Sequence, residues 1–161
     1  MNLLVNQECF RVVGPIAMAT AMPDRTPHFH GFDTVVGYSD LGHIFLANRR
    51  TGEHAVLHPF KFAVKSYGVF ADTAAFVDEV LREPVFAQYV LQPDHVAAIR
   101  DLEGPLGTDQ VYIPVPYPIL GGTEEPETYK AGDVWVFLDL VGQVLGAGAS
   151  RTKRRWWSRR G

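Results

Sequence analysis

Two histidines, His28 and His30, flank Phe29. On an extended segment, side chains two residues apart project to the same side. That spacing is a familiar start of a metal site, which needs third and fourth ligands held in fixed geometry. His43, His54 and His58 are the nearest further imidazoles, and nothing in their spacing makes them converge, so no metal is assigned. A metal-dependent hydrolase using the His28/His30 pair stands as an alternative reading. Cys9 is the only cysteine, which excludes an internal disulfide framework and a multi-cysteine zinc site and fits a reducing compartment. With no base beside it in sequence, Cys9 reads as a small buried apolar residue. The chain has no G-x-S-x-G elbow, no G-x-x-x-x-G-K-[ST] loop, no H-E-x-x-H and no G-x-G-x-x-G after a strand. Gly104-Pro105-Leu106-Gly107 and Gly121-Gly122 lack the lysine and helix entry of a phosphate cradle and read as tight turns. The expectation is a protein that is not an enzyme and carries no cofactor.

Carboxylates are the more informative groups. The formal net charge is −3 over 161 residues, but it is unevenly laid out. Residues 1–70 hold six Lys/Arg and five Asp/Glu, residues 71–149 hold three and thirteen, and residues 150–161 hold six and none. A one-signed surface attracts the opposite sign and speeds encounter with it. Glu124, Glu125 and Glu127 lie in a proline- and glycine-rich stretch, where side chains are exposed. Asp101, Glu103 and Asp109 lie just upstream in the same loop-rich region. These six are the candidate partner-binding residues. Such a surface repels nucleic acid, so no direct nucleic-acid binding by the globular part is expected.

The segment Arg151–Arg160 mixes cations with Trp156 and Trp157. That composition could bind nucleic acid, an anionic membrane surface or the chain's own acidic zone. The plainer expectation is a disordered basic tail over 150–161, following the glycine-rich Gly146–Ser150. An adaptor working through this tail is a second alternative.

The elements that must position these groups follow from periodicity and punctuation. Phe32–Tyr38 and His43–Ala47 are β-rich runs joined by Ser39-Asp40-Leu41-Gly42, a hairpin signal. Glu53–His58 and Lys61–Tyr67 continue the pattern between turns at Thr51-Gly52 and Pro59. Residues 8–22 are apolar with weaker periodicity. From Asp72 or Thr73 the period becomes helical, with Phe76, Val77, Val80 and Leu81 on one stripe and a capping residue in front. Further helices are expected over Val85–Leu91 after Pro84 and Asp94–Leu102 after Pro93, stopped by Glu103-Gly104-Pro105. A short strand, Gln110–Pro114, precedes a long loop. The last helix, Asp133–Leu145, places Val134, Phe137, Leu138, Val141 and Leu145 on one face. Strands first and helices later indicate an α+β fold, a mainly antiparallel sheet from the N-terminal half with helices from the C-terminal half packed on it. Residues 1–149 read as one domain. Met1–Glu8 lacks the positive start of a signal peptide, and no apolar run nears the roughly 20 residues that span a bilayer. A soluble, cytoplasmic protein is expected.

The string Leu106-Gly107-Thr108-Asp109-Gln110-Val111-Tyr112, then Pro116-Tyr117-Pro118-Ile119-Leu120-Gly121-Gly122, then Asp133-Val134-Trp135 through Gly142-Gln143-Val144-Leu145, resembles the C-terminal domain of bacterial type VI secretion immunity proteins. The likeness extends over about residues 32–146, with Gly42–Leu46 and the helix Thr73–Leu81 included. Gln110-Val111 and Ile113-Pro114 depart from that family's more acidic, cysteine- and glycine-containing positions. The resemblance implies a stoichiometric inhibitor of a cognate toxin, often a DNA-cleaving effector, made by the same cell. It also implies that the glycines and aromatics are fold markers. A nuclease presents cations around its active site, and an acidic partner can occupy them in place of phosphates. Composition and resemblance thus converge on a cytoplasmic immunity protein whose partner is a toxin with a basic active-site surface.

Overall fold

The computed structural model describes residues 8–23, 29–61 and 63–158, with 147–158 described by backbone alone. Five strands form one antiparallel meander in sequence order: β1 Phe10–Ala17, β2 Thr34–Ser39, β3 Ile44–Ala47, β4 Glu53–Leu57 and β5 Val64–Val69. A short helix, α1 Met18–Ala21, follows β1. The β2–β3 hairpin closes over Ser39–Gly42 as the turn signal required, with Tyr38 opposite Ile44 and Thr34 opposite Ala47.

Strands β2, β3 and most of β4 are buried on both faces, because each face carries its own core. Successive side chains on a strand point to opposite faces. Val36, Phe45 and Val56 therefore enter one cluster, and Val35, Ile44, Leu46 and Leu57 enter the other. The first cluster is covered by helices from the middle of the chain. α2 Thr73–Phe76 runs into a wider π-type turn, Val77–Leu81, and α3 Pro84–Phe86 into another, Ala87–Leu91. α4 spans Pro93–Glu103. Their starts are local and legible: Asp72 accepts from the Ala75 amide at 2.8 Å, Glu83 accepts from the Phe86 amide at 2.9 Å, and Pro84 and Pro93 occupy first-turn positions that need no N–H donor. Phe76 fills the centre, stacked on His54 and edge-on to Phe45.

The second cluster is covered by α5, Val134–Ser158. Val134, Phe137, Leu138 and Val141 are buried on the stripe the spacing predicted. Asp133 caps this helix, accepting from the amides of Trp135 and Val136 at 2.9 Å each. α5 continues past Leu145 into the basic segment. The backbone of that helix takes in residues 150–158 of the tail expected over 150–161, while the side chains of 147–158, and residues 159–161, lie outside the described residues. Gly42, with φ +91°, stands where a Cβ would meet Phe137 Cε2 at 2.7 Å. The hairpin turn can therefore press against α5 only if this residue is glycine.

Between the two layers lies a second sheet, β6 Gln110–Pro114 paired antiparallel with β7 Tyr129–Asp133. β6 matches the expected strand; β7 was not foreseen. Val111 faces the α5 cluster and Tyr112 the other. The Tyr112 amide donates to the Asp40 carbonyl at 2.8 Å, fastening this hairpin to the β2–β3 turn.

Candidate partner-binding surface

The strands β6 and β7 are joined by residues 115–128, which fold into a closed loop. The Val115 amide donates to the Thr128 carbonyl at its base, and inside it the amides of Leu120 and Gly122 both donate to the Tyr117 carbonyl. Two 3-10 turns, Pro118–Leu120 and Pro126–Thr128, make up much of the rest. Thr128 Oγ1 lies 3.0 Å from the Thr123 carbonyl and 2.9 Å from that of Glu125. The Tyr117 ring packs against Phe60 and Phe137, with centroids 5.7 and 5.8 Å away, so the loop is anchored in the core. A Cβ on Gly122 would lie 1.8 Å from the Pro116 carbonyl oxygen, which explains the glycine at that place. Proline at first-turn positions and these bonds give a surface loop a fixed shape without a regular element of its own.

This loop presents Glu124, Glu125 and Glu127, all exposed. Glu124 is close enough to Tyr129 that its charge adds to burial in pushing that phenol up to about 12. The other three candidate carboxylates are placed differently. Glu103 turns inward: its carboxylate accepts from the Ala131 amide at 3.1 Å and pairs with Lys130 at 3.3 Å, and these contacts hold it below the usual carboxylate range. Asp101, two residues back and so about 200° around α4, is exposed on the side away from Glu103. Asp109 sits at the far end of the β6–β7 hairpin, half-buried, its amide donating to the Tyr38 hydroxyl and its carbonyl accepting from the Val134 amide. The structure thus brings three of the six together and puts two of the others to work in the framework.

What happens to the bases sharpens the charge count. Residues 71–149 contain only Arg82, Arg100 and Lys130 as Lys/Arg, and each is engaged. Arg82 pairs with Glu8 and Asp78, Arg100 with Asp40, and Lys130 with Glu103. Among the described residues no cation pairs with Asp101, Glu124, Glu125 or Glu127, so their charge faces outward.

The Arg100–Asp40 pair was not visible from sequence, where Asp40 reads only as a turn residue. Asp40 is nearly buried, 3.5 Å from the guanidinium, and burial pushes its carboxyl up against the pull of Arg100 and Arg11. Cys9, beside them, is pushed to about 11 by burial and then by Asp40. It is buried as expected. Arg11 donates to the Leu106 carbonyl at 3.2 Å. This polar node ties the meander to the C-terminal half.

Of the histidines, His28 lies outside the described residues and His30 is exposed. His54 is buried with its ring nitrogens 2.8 Å from the Gly52 carbonyl and 3.2 Å from Thr73 Oγ1, and His43 and His58 meet edge to face. Among the described residues no three His, Cys, Asp or Glu are grouped so as to hold a metal ion. No helix among them is long and apolar enough to cross a membrane.

Residues 71–145, from the cap of α2 to the buried stripe of α5, match the family described as T6SS immunity protein Tdi1, C-terminal. This segment is similar to the type VI secretion immunity protein family. The family's segment therefore contains α2, α3, α4, the β6–β7 hairpin, the closed loop and the buried part of α5. Tyr112, whose hydroxyl donates to the Gly104 carbonyl, and Gly122 serve its packing, as the resemblance implied. The crystal structure of Atu4351 from Agrobacterium tumefaciens shares the fold, with a TM-score of 0.64 over 86% of this chain and 68% of that chain at 17% identity. That share of the chain is too large to come from residues 71–161 alone, so the likeness takes in the meander as well. No curated protein sequence matches the chain.

Proposed function

We propose that the chain is a cytoplasmic immunity protein, without catalytic activity of its own, that binds a cognate type VI toxin and neutralises it by covering the toxin's active site or substrate surface. The observation that carries this reading is the match of residues 71–145 to the immunity family. The unpaired carboxylates of the closed loop support a basic partner surface, as a nuclease that grips phosphates would present. Glu124, Glu125 and Glu127 form the contact, Asp101 adds charge from the far side of α4, and Glu103 and Asp109 hold the frame.

The test is expression of the adjacent gene's product with and without this chain. Growth arrest by that product alone, relieved by the chain, is the expected result. A product that is harmless alone, or equally toxic beside the chain, would sink the reading. The variant Glu124→Lys/Glu125→Lys/Glu127→Lys should bind roughly tenfold or more weakly at low salt, because one-signed rim charges act through long-range attraction that salt screens. Undiminished binding would remove the loop from the contact surface.

A further inference from the structure

The closed loop carries more than charge. Val115, Ile119 and Leu120 are 53%, 40% and 59% exposed, three large aliphatic side chains within six residues of one another. Single exposed apolar residues are ordinary on a folded surface, whereas a group of them around a hollow marks an interaction site. A hollow is present: about 400 Å³, open to solvent, and lined by Ile113, Val115, Pro116, Tyr117, Leu120 and Ala131, with Lys130 as its one charged neighbour. A cavity of about 150 Å³ accommodates benzene, so this one admits a large side chain. Its walls are set in advance by the anchoring of Tyr117 against Phe60 and Phe137 and by the backbone bonds across the loop. A preformed hollow spares the ordering cost that a flexible loop meets on binding.

We propose that this cup receives one apolar or aromatic anchor side chain of a cationic protein partner, whose neighbouring Lys or Arg residues meet Glu124, Glu125 and Glu127. The choice of occupant rests on charge complementarity: the cup and the three exposed carboxylates share one closed loop, and Lys130 is already held by Glu103. An apolar anchor buried in a pocket and ringed by polar contacts is the usual form of an interface hot spot. The proposal rests on the toxin-binding reading above and names the element that supplies most of the affinity.

The experiment is calorimetric titration of the full chain with the adjacent gene's product, at low and at high salt. Val115→Ser/Leu120→Ser changes two exposed positions without altering charge, so its circular dichroism and melting temperature should match those of the parent. Its affinity should fall about tenfold or more at both salt concentrations, the size expected when an anchor loses its pocket. The triple lysine variant should lose affinity mainly at low salt. Serine-variant affinity within twofold of the parent, beside a weakened lysine variant, would overturn the cup and leave the toxin reading intact. Weakening by serine alone would overturn the cationic half of the proposal. No binding by the parent would overturn both cup and toxin reading. Deletion of 150–161 should change little; a tenfold gain in affinity would show that the chain's own basic segment fills the cup and would overturn the proposal.

Discussion

His43 lies buried in the β2–β3 turn, where Ser39 Oγ accepts from the amides of Leu41 and His43 and lies 2.8 Å from Nδ1. With its acceptor sites taken, the hydroxyl donates to Nδ1, and the ring is held neutral. Burial, and then His58, push its pKa down to about 3. The unfolded chain takes up a proton on this residue near pH 6.5, and the folded chain does not. The stability contribution is therefore full above that pH and is lost as pH falls from about 6.5 to about 3, amounting to a few kcal/mol. His58, also pushed down by burial and by Lys61 and Lys65, acts in the same sense, while the raised Asp40 acts against it. Thermal melts should show a steeper loss between pH 7 and pH 4.5 for the parent than for His43→Gln. Equal slopes would mean His43 is charged in the fold. At the same scale, Arg100→Met strands the Asp40 carboxyl and should cost about 3 kcal/mol in urea denaturation, with Asp40→Asn/Arg100→Met recovering much of it.

Among the elements, legibility followed the strength of the local pattern. Asp72 before Thr73, Pro84 and Pro93 at helix starts, and the Ser39–Gly42 turn are short-range signals, and they appear in the fold where they appear in the chain. β7 escaped because Tyr129-Lys130-Ala131-Gly132-Asp133 has one bulky apolar residue and no alternation; pairing with β6 makes it a strand. The carboxylates show the same limit. Asp101 and Glu103 are neighbours in sequence but lie on opposite sides of α4, and only tertiary contacts turn Glu103 toward Ala131. Gly42→Ala should lower stability by about 2 kcal/mol or more, through a left-handed backbone and the clash with Phe137, readable in denaturant melts. Gly122→Ala displaces the Pro116 carbonyl and so remodels the loop. Partner affinity should fall there while core unfolding changes little.

Across the whole molecule, a chain of modest net charge concentrates its acids in residues 71–149, thirteen against three bases, and each of those three bases is paired. Two of the pairs, Arg82 with Glu8 and Arg100 with Asp40, reach across to the N-terminal part. The meander and its two cores hold the β6–β7 hairpin in place, and the hairpin holds the loop. Sequence alone reached the fold class and the excess of carboxylates. It could not divide those carboxylates between frame and face, since that division depends on contacts made over long separations. The immunity reading is tested most directly by assaying the adjacent gene's product for its toxic activity while this chain is titrated in. Activity should fall linearly and vanish near one chain per toxin molecule, whereas activity that persists at a large excess of the chain would contradict it.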